Sequence, residues 1–203
     1  MPYLAGYTLS ASKSRADTAS GNLTSCGKVS GKGWLTANTV GSYIRRIVAV
    51  RKVAEEHLRY GYTDCFFVGR VLSSSLLNIS PKHVLLITKA DCPNSLGSIT
   101  LFPILRDIHF VLLVFRRETL QLTLYDSIEN NDNDRLLHEV HDRFIPFLQR
   151  LTKSDIRFSV DVSVVQQNES SSCGICVCMT AEFVCFERLT SLSAEQYRRW
   201  LLY

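Results

Sequence analysis

No run in these 203 residues approaches the roughly 18 consecutive apolar positions of a bilayer-spanning helix, so no membrane partner is expected. The stretch from Met1 to Ser20 lacks the apolar core and cleavage pattern of a signal peptide. The chain is therefore read as intracellular, in nucleus or cytoplasm, or as delivered into a host cell by a route that uses no such signal. No segment concentrates Lys and Arg on one face. With 23 basic against 19 acidic residues the net charge is only +4, which suits an acidic partner surface but does not argue for nucleic acid. The densest pairs, Arg45-Arg46 and Arg116-Arg117, read as solvated edges. Internal repeats and low-complexity boundaries inside the ordered part are also missing, and a monomer is expected.

A disulfide framework is missing too. Seven cysteines are an odd number, and four of them crowd into Cys173, Cys176, Cys178 and Cys185. Without a secretory signal, reduced thiols are the default. Cys173-x-x-Cys176-x-Cys178 invites a metal or redox reading. On a helix, however, Cys176 lies one turn from Cys173 while Cys178 points elsewhere, and no second compact ligand pair exists. Cys26, Cys65 and Cys92 are isolated, and His138 and His141 belong to a polar helix face. No metal and no cofactor are expected, and Cys176, Cys178 and Cys185 are read as core fillers.

What is present is an ordinary globular composition, 46% hydrophobic and 21% charged, in a chain of single-domain length. Residues 1–33, rich in Ser, Gly, Thr and Ala, read as a flexible arm, and 34–203 as one folded domain. Val40, Tyr43, Ile44, Ile47, Val48, Val50 and Val53 keep helical spacing towards Leu58, with Gly61 as the stop. Asp64 to Leu77 is short and apolar, and helix and strand remain open there. Ser98 to Leu105, His109 to Phe115 and Thr119 to Tyr125 read as strands, the last two joined as a hairpin by Arg116-Arg117-Glu118. Asp132 to Leu151 reads as one amphipathic helix bent at Pro146, and Phe158 to Val165 as another strand. Ser170 to Ser172 offer N-cap hydroxyls to a helix starting at Cys173, and Ser193 with Gln196 resembles a capping box for a last helix ending at Leu202. The fold class is α+β: a central mixed or antiparallel sheet flanked by helices.

Three reactive residues sit in informative settings. His109 fronts one strand and Asp126 ends the next, so a tight hairpin sets imidazole and carboxylate side by side. The carboxylate would fix the ring tautomer and stabilise the imidazolium. Cys173 falls in the first turn of a helix, where unsatisfied N–H groups and the dipole favour a thiolate. Gln167, six positions upstream, brings a side-chain amide within reach of a developing oxyanion. Each has a plainer reading: a strand histidine with a structural hydrogen bond, a turn aspartate, an inert buried cysteine. The joint order of the four is what argues for chemistry.

On these residues the chain resembles the adenain-like cysteine proteases, and within them the ubiquitin-like-protein (SUMO) proteases. Gln166-Gln167-Asn168-Glu169-Ser170-Ser171-Ser172-Cys173-Gly174 looks like the family's glutamine loop and Cys-Gly helix start. Phe102-Pro103-Ile104 through His109-Phe110-Val111-Leu112 looks like its histidine strand, and Leu124-Tyr125-Asp126-Ser127 like its aspartate strand. Trp34-Leu35 with Val40 and Tyr43 looks like its opening motif. The resemblance implies a papain-like architecture of the adenain type, with Cys173 as nucleophile, His109 as base and then acid, Asp126 as orienter and Gln167 as oxyanion donor beside the Cys173 N–H. Trp34 and Phe110 would wall a slot admitting only Gly-Gly; the other reading of Trp34 is a core residue capping the first helix. Phe110 stands where the family usually has Trp, Ala37 where it has an acid, and Ser172 where it has Asp.

The function so implied is thiol hydrolysis after Gly-Gly of SUMO, ubiquitin or a related modifier, whose conjugates or precursors would be the partners. Two rivals keep the same fold: an acetyltransferase working through the same thiol, and a modifier-binding pseudoenzyme.

Overall fold

The computed structural model describes residues 34–54, 60–63, 65–73, 97–106, 108–128, 134–167, 169–187, 193–194 and 196–197. The arm expected over 1–33 lies outside them, as do Cys26 and Cys92. Helix α1 spans Ala37–Ala54 and begins on Thr36, whose Oγ1 accepts the Thr39 N–H at 3.2 Å, a side-chain N-cap. Strand β1 follows at Tyr60–Tyr62, then α2 at Cys65–Ser73, β2 at Ile99–Arg106, β3 at His109–Arg116 and β4 at Gln121–Tyr125. Helix α3 (Asp134–Glu139), a π-helical turn (Val140–Phe144) and α4 (Ile145–Thr152) lead to β5 at Arg157–Asp161. A 3₁₀ turn over Ser170–Ser172 runs into α5, Cys173–Phe186.

The strands lie in the order β1-β2-β3-β4-β5. The pairs β2–β3 and β3–β4 are antiparallel, and β1–β2 and β4–β5 parallel, so the sheet is mixed. Both faces are covered. Phe110, Leu112 and Val114 of β3 join a core with Val40, Ile44 and Ile47 of α1 and Ile175, Cys178 and Ala181 of α5. Val111, Leu113 and Phe115 point the other way, to Val68 and Leu72 of α2 and Phe144 and Leu148 of the split helix. A strand buried on both faces needs no polar alternation, which explains the unbroken apolar run of β3. Helix α5 is apolar all round for the same reason.

Several expectations change. Gly61 is not a helix stop but the middle of β1, where a Cβ would meet Thr100 Oγ1 at 2.9 Å; its role is close strand approach. The open segment after it is helical (α2). The single helix over 132–151 is divided by the π-turn, in which the Ile145 N–H reaches back to the Val140 carbonyl. Pro146, which has no N–H for a helical bond, then sits in the first turn of α4. Strand β5 stops at Asp161, because Asp161 Oδ1 takes the Ser163 N–H and hydroxyl and turns the chain away. The capping box of Ser193 and Gln196 forms: the Ser193 N–H donates to Gln196 Oε1 (2.9 Å) and the Gln196 N–H to Ser193 Oγ (3.3 Å). No described helix is long and apolar enough to cross a membrane.

Candidate active site

The sheet registers gather the chemistry at one edge. Arg106 pairs with His109, Leu112 with Tyr125 and Tyr125 with Asp161, so the end of β2, the start of β3 and the ends of β4 and β5 lie together. Across that edge His109 Nε2 meets Asp126 Oδ1 at 2.7 Å. The same carboxylate oxygen accepts the Ile128 N–H at 3.0 Å, which fixes its orientation. Both side chains are largely enclosed, 16% exposed for His109 and 5% for Asp126, so water competes weakly for the bond.

Cys173 opens α5 beside His109, and each of the two groups shifts the pKa of the other. Since Asp126 occupies Nε2, the ring nitrogen left for the sulfur is Nδ1. Burial alone would push the His109 pKa down. The hydrogen bond to Asp126, the one to Cys173 and the two negative charges outweigh it and raise the group to about 9. Burial likewise opposes a thiolate at Cys173. The His109 hydrogen bond, backbone hydrogen bonds from Phe110 and Gly174, and the imidazolium charge still bring its pKa below the ordinary value. Both shifts work towards thiolate beside imidazolium. The helix's other thiols behave oppositely: burial raises Cys178 well above the usual range and Cys185 to about 12. One cysteine of α5 is activated and two are silenced, although their spacing alone does not tell them apart.

Ser172 occupies the N-cap position of α5 but makes no side-chain cap hydrogen bond. The expected hydroxyl cap is absent because the 3₁₀ turn feeds straight into the helix. One first-turn amide, that of Gly174, serves the sulfur instead.

Gln167 reaches the same edge. Its N–H donates to the Ser127 carbonyl at 3.0 Å, and its Oε1 accepts the Ser127 hydroxyl at 3.1 Å. Gln166, which the sequence reading gave no separate role, donates from Nε2 to the carbonyls of Val162 (2.6 Å), Val164 (3.2 Å) and Asp126 (3.4 Å). Ser127 was quoted only as part of a motif. The signal that could have marked both residues is their adjacency, Ser127 to the triad carboxylate and Gln166 to the oxyanion candidate.

Trp34 is 45% exposed, so it is no core residue; the buried neighbour is Leu35. Leu35 Cβ, Val40 Cγ2 and Phe110 Cδ2 lie 3.1, 3.3 and 3.4 Å from where a Cβ on Gly174 would be, which puts the Trp34-Leu35 segment over the start of α5. Phe110 is 2% exposed and packs inside the core cluster, presenting almost no free wall. Cys173 has no exposed surface at all, and its Sγ lies 3.9 Å from the Ile108 carbonyl. A carbonyl carbon reaches this sulfur only when the surrounding side chains part. Among the described residues no three of His, Cys, Asp and Glu cluster as metal ligands, and all five described cysteines are free thiols.

Solved structures share this fold. The chain is similar in fold to the yeast Ulp1 protease domain solved in complex with Smt3, the yeast ortholog of SUMO: TM-score 0.62 and 17% identity over 83% of this chain and 74% of that one. It is also similar to the Chaetomium thermophilum Ulp1-like SUMO protease catalytic domain, with TM-score 0.61, 16% identity and coverage of 85% and 71%. The Xanthomonas campestris effector XopD, solved bound to ubiquitin, matches with TM-score 0.63 and 18% identity over 93% of this chain and 99% of its own. A search of curated protein sequences finds no match. Residues 97–198 match the family described as the Ulp1 protease family, C-terminal catalytic domain, and they contain His109, Asp126, Gln167 and Cys173. On that match, which spans half of its length, the chain belongs to the Ulp1 protease family of cysteine peptidases.

Proposed function

We propose that residues 34–203 form a peptidase that cleaves the peptide or isopeptide bond after the C-terminal Gly-Gly of SUMO, ubiquitin or a related modifier. The observation that carries this reading is the His109–Asp126 contact of 2.7 Å at the sheet edge where Cys173 opens α5, with its thiol pKa lowered by the same histidine. In support of the substrate class stand the similar folds solved with Smt3 and with ubiquitin, and the exposed Trp34 beside Leu35 at the start of α5.

The thiolate of Cys173 attacks the scissile carbonyl carbon. The oxyanion is held by the Gln167 side-chain amide and the Cys173 N–H at the unsatisfied end of the helix. The proton for the leaving amine already sits on His109 in the resting pair, so His109 serves first as acid. It then takes a proton from the water that hydrolyses the thioester, and Cys173 leaves as thiolate. Asp126 keeps the ring oriented throughout. Because the sulfur is covered at rest, a slender glycine tail is better suited to reach it than a chain bearing bulky side chains.

The test is a panel of modifiers ending in propargylamide or glycine vinyl sulfone. A covalent adduct at Cys173 with one of them, lost in Cys173→Ala, is expected. A folded sample that no member of the panel labels overturns the reading.

A further inference from the structure

We propose that Ser127 is a positioning residue that sets which end of the Gln167 amide faces the oxyanion; the inference rests on the protease reading above. Gln167 is tied to Ser127 twice, by its N–H to the Ser127 carbonyl (3.0 Å) and by Oε1 to the Ser127 hydroxyl (3.1 Å). Among the described residues no protein group pairs with Gln167 Nε2.

The two ends of a glutamine amide are nearly isosteric and opposite in function: the nitrogen donates, the oxygen only accepts. An unanchored amide can turn either end to the reacting carbonyl, and the wrong one sets oxygen lone pairs against the developing negative charge. A hydroxyl that donates to Oε1 removes that ambiguity and leaves both N–H bonds of Nε2 for the substrate. Ser127 is 5% exposed, so its hydroxyl does not readily exchange this partner for water.

The anchor is itself rigidly held. Asp126, the preceding residue, is fixed at its N–H by the Asp161 carbonyl and at its own carbonyl by Gln166 Nε2. Gln166 at the same time grips Val162 and Val164, so the loop carrying Gln167 is clamped to the strand end carrying Ser127. The Ser127 hydroxyl is not a partner of the Asp126 carboxylate, whose Oδ1 bonds are to His109 and the Ile128 N–H. Its effect is therefore separable from that of the triad.

A double-mutant comparison tests this, with SUMO and ubiquitin carrying C-terminal aminomethylcoumarin as reporters. Gln167→Ala is expected to lower kcat by about 10²-fold and Ser127→Ala by about tenfold, with KM within about twofold of wild type. Ser127→Ala added to Gln167→Ala is expected to cost nothing further, and Ser127→Thr, which keeps the hydroxyl, to stay within about threefold of wild type. The pH dependence of iodoacetamide alkylation at Cys173 should be unchanged in Ser127→Ala. Losses that multiply in the double variant, or an alkylation profile that moves, overturn the positioning role in an enzyme that still turns over. A folded wild type that hydrolyses neither reporter and that no modifier probe labels at Cys173 overturns the protease reading and this inference with it.

Discussion

His109 and Asp126 stand 17 positions apart in the chain, yet Nε2 and Oδ1 meet at 2.7 Å because the β3–β4 register returns the end of one strand to the start of the other. That contact helps hold the imidazole proton to about 9 against the opposing effect of burial. A histidine raised in this way keeps its proton below about 9 and loses it above. A thiol lowered in the same pair is ionised only above its reduced pKa. The active zwitterion is bounded on the acid side by Cys173 and on the alkaline side by His109. A bell-shaped kcat/KM profile with an alkaline limb near 9 is expected. In Asp126→Ala that limb should move to lower pH and kcat/KM should fall by roughly 10²- to 10⁴-fold. A limb that stays in place would show that the carboxylate does not hold the proton.

The thiols of α5 should separate by reactivity. At pH 7, iodoacetamide is expected to modify Cys173 well before Cys178 and Cys185, whose burial keeps them protonated. Peptide mapping by mass spectrometry reads this directly. In urea the preference should vanish. Equal rates in the folded protein would mean that the ion pair does not form.

Gly174 is tightly seated, since a Cβ would sit 3.1 Å from Leu35 Cβ, 3.3 Å from Val40 Cγ2 and 3.4 Å from Phe110 Cδ2, and the first two would have to give way by a few tenths of an ångström. Leu35 and Val40 are buried apolar neighbours in the same core as Phe110, so the added methyl must push α5 away or strain them. Gly174→Ala is expected to destabilise by about 1–3 kcal/mol as overpacking, visible as a lowered urea midpoint. Activity should fall further than stability, because the displaced residue adjoins the nucleophile. An unchanged midpoint would contradict the tight seating.

Lys153 ends α4 with φ at 55°, a left-handed conformation that non-glycine residues adopt at a cost, and its side chain is exposed. Lys153→Gly is expected to stabilise by about 0.5–1 kcal/mol, the relief of strain exceeding the extra freedom of the unfolded chain. Thermal unfolding checks it. A lower Tm would show that the lysine side chain contributes more than its backbone costs.

The meeting of His109 with Asp126 near the start of α5 was legible because each residue carries a local mark that the fold leaves unaltered. A strand-front histidine, a strand-end aspartate and a cysteine before an apolar helical run need only hairpin geometry and a helix start to meet. The capping box at Ser193 and Gln196 was legible for the same local reason, and it formed. Features set by distant packing were not legible. Tyr60–Tyr62 is too short to show a period, and its pairing with Ile99–Leu101 joins segments far apart in sequence. The π-turn before Pro146 is one added residue in an otherwise regular pattern, invisible to a 3.6-residue count. The anchoring of Gln167 by Ser127 spans 40 positions. The depth of Cys173 depends on Ile108, Phe110 and Gly174 converging from two elements, which no single segment announces.

Asp126 and Ser127 leave β4 as consecutive residues, one serving the imidazole and the other the glutamine amide. A slip of β4 against β3 by a single position would carry both away from these partners at once. The imidazole contact and the amide anchor would then be lost together. The ladder between β3 and β4 is thus the ruler against which both contacts are aligned.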